Sequence, residues 1–345
     1  MQKAKTLSKD FTKGNIAKQL ILFSLPFMAS NALQVLYSTI DMIVVGAYVG
    51  TYGLSAVSQS SQIVNFATMV CLGFSNAGQV LLGQAYGASK KKEMNDIIGT
   101  LFVFICAISV IFSAVMLFGQ NLILKLIKMP AESFEMAREY LVICSVGFIF
   151  TAGYNLVSAI LRGMGDSKRP FLFIGIASVV NLILDILFTG IFGWGVAGAA
   201  WATIIGQAVS FIFSIFYLVR KKEEFGFDFK KESFVPNKKY LGMIASVRTP
   251  MAIQSGFINV SMLFVNTMVN DIGVVASATF GVGVRIDDIV NKICMGIQYA
   301  AVPIISQNIG AKNDAREKQT VFFAWIYSIA LTVVFMLIYV ILGKL

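Results

Sequence analysis

Histidine is absent from this sequence of 345 residues. Its absence removes the commonest metal ligand and the only side chain whose ordinary pKa lies near neutrality, so any proton chemistry falls to carboxylates. Cysteine is scarce: Cys71, Cys106, Cys144 and Cys294 all lie in apolar runs, and none has a CxxC neighbour. We interpret them as small buried hydrophobic residues rather than disulfides or metal ligands.

Charge is scarce as well, at 13% of residues against about 25% in soluble domains. Hydrophobic residues make up 57% and the mean hydropathy is +0.76. The first fifteen residues are polar and basic, and the apolar run after them is too long for a cleavable signal. The sequence predicts an all-α integral membrane protein of the plasma (inner) membrane. It contains no nucleophile–base set, metal cluster or cofactor loop, which argues against an enzyme.

Nine membrane helices are predicted from the apolar runs. Their approximate bounds are 16–49 (bent or broken near Pro26), 53–86, 97–123, 134–161, 171–192, 196–219, 241–270, 274–308 and 321–342. Of 28 Lys and Arg residues, 21 fall in the N-terminal tail and the loops on its side, and four on the opposite side. This asymmetry predicts a cytoplasmic N-terminus and an outside C-terminus. The net charge of +10 is therefore a membrane-orientation signal and does not indicate nucleic acid.

The segment from Asn181 to Gln207 is almost wholly apolar, yet it contains Asp185. A charged side chain at the centre of a membrane helix costs about 2.5–3.5 kcal/mol on insertion scales, which favours a functional role. Asn181 and Asp185 are four residues apart, so they share one helix face. The pattern predicts a small polar pocket inside a membrane bundle. A purely structural hydrogen bond is the alternative for Asp185.

Two motifs recur at nearly the same spacing. Leu25-Pro26 corresponds to Thr249-Pro250, and Gly83–Ala88 corresponds to Ser306–Ala311. Six helices separate the copies, so both face the same way, as in a parallel repeat of two lobes. We expect a tail over 1–15, a complete six-helix N-lobe over 16–219, an inter-lobe loop over 220–240 and a three-helix C-lobe over 241–345. A complete second lobe needs roughly 100 residues more, so we expect a truncated chain, either a fragment or a natural nine-helix product.

Together these motifs resemble those of the multidrug and toxic compound extrusion (MATE) transporters of prokaryotes. The motifs are the Leu25-Pro26 opening, Gln84-Ala-Tyr-Gly87, Leu161-Arg-Gly-Met-Gly-Asp-Ser-Lys-Arg-Pro170, and Asn181-x3-Asp185 leading into Gly193-Trp-Gly-Val-x-Gly198. The resemblance implies two six-helix lobes around a central cavity. It also implies export of amphipathic organic cations coupled to Na⁺ or H⁺.

The resemblance further implies a coupling site formed by Tyr37, Asp41, Asn181, Asp185 and Thr203, with Na⁺ on the last four. These are oxygen donors of the kind that hard cations prefer, and Tyr37 and Asp41 again share a helix face. A helix end at the membrane surface is the alternative for Asp41. Another branch of the family uses acids of the C-lobe, beginning with a Glu on helix 7, where this chain has Asn259.

Further polar residues stand in the predicted spans. Gln34, Asn65, Asn155 and Gln207 line the cavity or make hydrogen bonds between helices. Arg285, Asp287, Asp288 and Lys292 form either a gate or a self-neutralising cluster through the pairs Arg285–Asp288 and Asp288–Lys292.

The resulting hypothesis is a secondary multidrug exporter whose two lobes rock between inward- and outward-open states. Its partners are the bilayer and small amphipathic cations. It is expected to be a monomer if it is complete, to bind no nucleic acid and to need no cofactor beyond its coupling ion. Two alternatives stay open. A lipid-linked sugar flippase of the same superfamily would want several cavity arginines, and only Arg285 and Lys292 qualify. A non-transporting fragment is the other. The drug and the choice of Na⁺ or H⁺ are not decided by the sequence.

Overall fold

A computed structural model of the chain describes the backbone of residues 9–342. Some side chains inside this range are outside the description, at positions 223–224, 247–256, 259–260, 263, 266, 270, 274–279, 281–282, 285–286, 288–289 and 342. Three residues that the sequence singles out, Asn259, Arg285 and Asp288, are among them.

The described residues form helices joined by short turns, and residues 9–342 contain no strand. The α-helices are α1 Ile16–Tyr48, α2 Thr51–Gly87, α3 Lys91–Leu126, α4 Ala131–Gly163, α5 Lys168–Asp185, α6 Gly195–Arg220, α7 Lys222–Phe225, α8 Lys238–Ile272, α9 Val274–Gly310 and α10 Asp314–Leu342. Among the described residues, seven segments are long and apolar enough to cross a membrane, namely α1 to α4, α5 with the turns after it, α6 and α10. The all-helical membrane-type fold is therefore confirmed.

Helix α1 begins with a side-chain cap and continues through its proline. The Asn15 side chain accepts a hydrogen bond from the Lys18 amide at 2.9 Å, which satisfies one of the free N–H groups of the first turn. Pro26 lies inside the helix, and the predicted break is wrong because α1 is continuous from Ile16 to Tyr48. Neighbouring helices and hydroxyl side chains can satisfy the backbone groups that a proline frees in a membrane helix.

The predicted fifth helix changes its winding directly after Asp185. Residues Ile186–Ile191 form a π-helix, in which the Phe192 amide donates to the Leu187 carbonyl at 2.8 Å. The chain then reverses at Gly193-Trp194-Gly195, where the Trp194 ring stacks on Phe188 with centroids 4.7 Å apart. Wide turns of this kind are frequent at functional sites.

Small residues bring α5 and α6 close together. A Cβ built on Gly198 would stand 2.8 Å from the Phe188 carbonyl carbon, and one on Gly206 would stand 3.0 Å from the Ala177 oxygen. Small residues let membrane helices approach at backbone distance. This approach brings the Thr203 side of α6 against the Asn181 side of α5. On the other side, α4 packs between α2, α3 and α6.

One end of the bundle carries the basic loops, and we call it the basic end. It is the end at which α1 begins and α2, α4, α6 and α9 finish. Here α2 and α9 end with the same turn. Ser89 and Lys312 both have positive φ, 57° and 55°. The Lys90 amide donates to the Ala85 carbonyl, as the Asn313 amide donates to the Asn308 carbonyl, both at 2.9 Å.

These two matching helix ends also touch each other reciprocally. A Cβ on Gly87 would collide with the Gln307 carbonyl oxygen, and a Cβ on Gly310 would collide with the Gln84 carbonyl oxygen. Such an exchange, in which each partner offers the same surface to the other, is what a two-fold axis produces. The contact therefore agrees with the repeat found in the sequence, and it closes the basic end between α2 and α9.

The N-terminal tail is packed into this closed end. The Phe11 side chain is fully buried and meets Phe23 edge to face at 4.8 Å. Its amide donates to Gln307 Oε1 at 3.0 Å, and its carbonyl accepts from the Arg316 guanidinium at 2.9 Å. Gln307 Nε2 in turn donates to the Gly163 carbonyl at 3.2 Å. The tail therefore links α9 and α10 to the end of α4, although the sequence predicts only a polar tail.

The predicted loop over 220–240 is also more ordered than expected. It contains α7 and a 3₁₀ turn at Lys231–Phe234. Phe227 is buried and stacks on Phe102 of α3, and Asn95 Nδ2 donates to Ser233 Oγ at 2.9 Å. Its apolar residues dock this segment on α3.

Candidate functional site

Two carboxyl groups meet inside the bundle. Asp41 of α1 and Asp185 of α5 are close enough to share a hydrogen bond through their side chains. The Asp185 residue is only 1% exposed. Two carboxylates at this distance repel each other unless a proton or a cation lies between them. The arrangement thus requires one positive charge or one proton to be stable.

Helix geometry explains how each acid arrives there. Tyr37 and Asp41 stand one turn apart on α1, and Asn181 and Asp185 stand one turn apart on α5, so each pair faces the same way. The Asn181 amide is within hydrogen-bonding reach of Asp185 and also donates to Thr203 Oγ1 of α6 at 3.4 Å. Three helices therefore converge on the carboxyl pair.

Several oxygen atoms at this place have no hydrogen-bond partner among the described residues. They are Asp41 Oδ1, Asp185 Oδ1 and Gln207 Oε1, and all three are buried. A buried acceptor without a donor is costly, by about 1–3 kcal/mol or more. Carboxylate, amide and hydroxyl oxygens are the ligands of hard cations such as Na⁺. These residues fit a bound monovalent cation or a proton.

The site opens into a cavity of about 270 Å³. Its lining includes Gln34, Asn65, Asn155 and Gln207, together with Tyr37, Asp41 and Thr203, whereas the buried Asp185 is not part of it. Asn181 borders a smaller adjoining space with Tyr37 and Thr203. Asn155 also donates to the Thr151 carbonyl at 3.0 Å. The described lining contains no Lys or Arg.

Sequence reasoning missed some lining residues on α4. Tyr140, Cys144 and Thr151 face the cavity beside Asn155. Their spacing of four, eleven and fifteen residues from Tyr140 places them on one helix face. That spacing was a signal that the sequence contained.

The predicted gate on α9 is described only in part. Asp287 accepts from Asn291 Nδ2 at 2.9 Å, and the Lys292 carbonyl accepts from Asn31 Nδ2 of α1 at 2.7 Å. Both side chains are exposed on the bundle. The predicted pairs Arg285–Asp288 and Asp288–Lys292 lie outside the described side chains, as does Asn259.

A model of the MatE family matches residues 26–187 and 250–345, well over half of the chain. The chain belongs to the MatE family. The resemblance drawn from the sequence motifs is thereby confirmed at the level of the family. Members of this family are transporters rather than enzymes.

Curated relatives of this MatE chain include two proteins of Bacillus subtilis (strain 168). The probable multidrug resistance protein YpnP is 36% identical over 307 residues, covering 89% of this chain and 68% of that protein. The probable multidrug resistance protein YoeA is 28% identical over 335 residues, covering 95% and 72%.

Solved structures share the fold. One is described as the outward-facing conformation of a multidrug resistance MATE family transporter of the MOP superfamily. It superposes with a TM-score of 0.86 at 22% identity, covering 98% of this chain and 74% of that one. At that identity the likeness concerns the fold alone.

Proposed function

We propose that this MatE chain carries the coupling site of a secondary multidrug exporter, in which Na⁺ or H⁺ is exchanged for an amphipathic organic cation. The observation that carries the proposal is the buried Asp41–Asp185 pair with its unsatisfied oxygens. The names of its relatives support multidrug efflux as the activity.

Each residue of the site has its own part in this mechanism. Asp41 and Asp185 hold one positive charge between them, and Asn181 orients the Asp185 carboxyl. The hydroxyl groups of Thr203 and Tyr37 provide further oxygen ligands beside the carboxyl pair. A cationic substrate entering the cavity competes for the same negative charge. Occupation by one cation therefore weakens binding of the other, which is the coupling that antiport needs.

Alternating access completes the proposed mechanism. Rocking of a six-helix N-lobe (16–219) against the C-lobe (241–345) would expose the site to either side in turn. Such a motion would open the basic end by separating α2 from α9 at the reciprocal contact of Gly87 and Gly310. The bundle is proposed to lie in the plasma membrane with the basic end in the cytoplasm.

A sugar-flippase function is less well supported. A pyrophosphate-linked substrate needs cationic side chains in the cavity, whereas the described lining has none. A cavity that Asp41 lines, with Asp185 buried beside that acid, suits a cation.

The test compares Asp185→Asn with the unchanged chain in liposomes. We expect Asp185→Asn and Asp41→Asn each to lower cation-driven export of a fluorescent organic cation by at least about tenfold. Each change removes a carboxylate that attracts the bound cation, an interaction of about 4 kcal/mol for unit charges about 4 Å apart at an effective dielectric constant of about 20. Asp314→Asn, an acid at the exposed start of α10, is the matched control and should export normally.

Binding is measured separately from export, with ²²Na⁺ in detergent and by proton release on addition of the organic cation. Normal export by Asp185→Asn would contradict the coupling role. One outcome is that the unchanged chain binds Na⁺ or protons in a way that depends on Asp185 and yet exports nothing. That result would support the binding site and contradict transport by this chain alone. Dependence on Na⁺ or on pH identifies the ion.

A further inference from the structure

The cavity faces of α2 and α4 continue toward the basic end and meet there in a polar layer. On α4, Thr151 and Asn155 line the cavity, and Arg162 follows Asn155 by seven residues, which keeps it on the same face about 10 Å farther along. On α2, Leu72 lines the cavity, and Gln79 follows by the same seven residues.

Arg162 is fixed in this layer by amides. Its Nε donates to Gln79 Oε1 at 3.0 Å, and its Nη2 donates to Asn76 Oδ1 at 3.3 Å. Tyr299 of α9 lies close by. The layer therefore joins α2, α4 and α9, the three helices that close the basic end.

No carboxylate among the described residues forms an ion pair with Arg162. The nearest acid in sequence, Asp166, pairs instead with Arg169 at 3.0 Å. A half-buried guanidinium with neutral partners keeps a charge that is only partly compensated. One residue farther along α4, the Gly163 carbonyl accepts from Gln307, so the next contact toward the basic end is neutral as well.

We propose that Arg162 is the electrostatic barrier that keeps cations from passing between the cavity and the basic end while that end is closed. The role rests on the proposed function, since it matters only if the cavity holds a cation. The acids bind the cation deep in the bundle, and the guanidinium, whose charge its amide partners compensate only in part, repels the cation nearer the basic end. Hydrogen bonds and backbone contacts close the basic end to solutes in general. The repulsion from Arg162 adds a barrier that acts on cations in particular.

Asn155→Cys provides a reporter, because Asn155 lines the cavity and is partly exposed about 10 Å along α4 from Arg162, whereas the native Cys144 is buried. The four native cysteines are replaced by serine, and the chain is reconstituted in liposomes. The introduced thiol is then modified from the basic end by two thiosulfonate reagents of similar size, a cationic trimethylammonium and an anionic sulfonate. The readout is the ratio of the two rates, which requires no transport.

In Arg162→Met we expect this cation-to-anion ratio to rise by roughly a hundredfold or more. A unit charge about 10 Å away at an effective dielectric constant of about 20 changes each rate by at least about tenfold, and the two reagents respond in opposite directions. Arg162→Lys should keep the original ratio, because it keeps the charge. Gln79→Leu, which removes one hydrogen bond and leaves the charge, should keep the ratio even if both rates increase. Arg220→Met, at the exposed end of α6, is the matched control.

An unchanged ratio in Arg162→Met would overturn the barrier, and equal increases of both rates would show that Arg162 only holds the helices together. If Arg162→Met does not fold, Arg162→Gln is read in the same way. Failure of the coupling site would appear as normal export by Asp185→Asn and would leave this ratio unaffected, so the two proposals fail separately.

Discussion

At the scale of single residues, the molecule separates two kinds of buried charge. Asp185 and Asp41 lie together in the bundle interior with oxygens that lack donors, whereas Asp166 at the basic end is satisfied by the backbone amide and guanidinium of Arg169. Burial still raises the pKa of Asp166, and Arg169 works in the opposite direction. The Asp41–Asp185 pair can bind a ligand, whereas the contact of Asp166 with Arg169 stabilises the turn between α4 and α5.

The tail offers a prediction about a charge that costs stability. Partial burial, followed by repulsion from Lys168 and Lys18, lowers the pKa of Lys9. A lysine that loses its proton more readily when folded destabilises the fold below its folded pKa, and the cost disappears as the pH rises toward the unfolded value of about 10.4. The Phe11 ring is 5.7 Å from Lys9 Nζ, near the limit of about 6 Å for cation–π attraction.

Lys9→Gln should therefore raise the unfolding temperature at pH 7, and the gain should shrink as the pH approaches 10. Thermal unfolding in a neutral detergent measures both. Lys13→Gln, an exposed neighbour, should change neither. A lower unfolding temperature for Lys9→Gln at pH 7 would mean that the contact with Phe11 outweighs the repulsion.

At the scale of elements, the carboxyl site depends on how closely α6 approaches α5. The approach is set by Gly198 and Gly206, because larger residues would meet backbone atoms at about 3 Å. Thr203 lies between these two glycines in the sequence, so the close approach of α5 and α6 that they allow also brings Thr203 within reach of Asn181.

Gly198→Ala should destabilise the protein by about 1–3 kcal/mol, the usual cost of forcing an extra group into a packed interior. Its Cβ has to displace the Phe188 carbonyl or the Thr189 backbone. Gly175→Ala on α5 is the control, since its Cβ would stand 3.8 Å from Leu33 and alanine favours helix. The comparison is made by thermal unfolding. Equal stability of the two variants would show that α6 can move away from α5 without loss.

At the scale of the whole molecule, the closed basic end depends on two glycines related by the repeat. Each faces a carbonyl oxygen of the other helix, so a methyl group at either position prevents the contact. The two positions should behave alike because the contact is reciprocal.

We expect Gly87→Ala and Gly310→Ala each to increase the distance between spin labels placed on cysteines at positions 92 and 312, in a background without native cysteines. Electron spin resonance in liposomes gives the distance distribution. Gly242→Ala, where a Cβ meets nothing within 4 Å, is the control. Distributions that match the control would refute the view that this contact holds the basic end shut.

How much the sequence could predict depends on where the cause of each feature lies. Asn181 and Asp185 share a face because of the helix period, a local rule that needs no partner. The helix ends at Gly87 and Gly310 are visible as a repeated motif. The predicted fourth helix stops before Arg162, which lies in the last turn of α4. Gln79 and Asn76, the amide partners of Arg162, are on α2, and no local sequence pattern predicts this contact.

Features that arise from packing between distant segments were missed for the same reason. Phe11 is buried by α9 and α10, nearly three hundred residues away. The π-helix after Asp185 has no proline or glycine at its start, and its backbone packs closely against α6 at Gly198. The lobes, the ion and the substrate stay predictions.

The wide turns after Asp185 form the last part of this segment, and they join residues five apart where an α-helix joins residues four apart. One residue along a helix corresponds to a rotation of about 100° around its axis. The turn at Trp194 is therefore displaced by one residue from the direction that a continued α-helix would give it. Natural or designed deletion of one residue within Ile186–Ile191 would leave the acid in place and swing the Trp194 turn around the bundle.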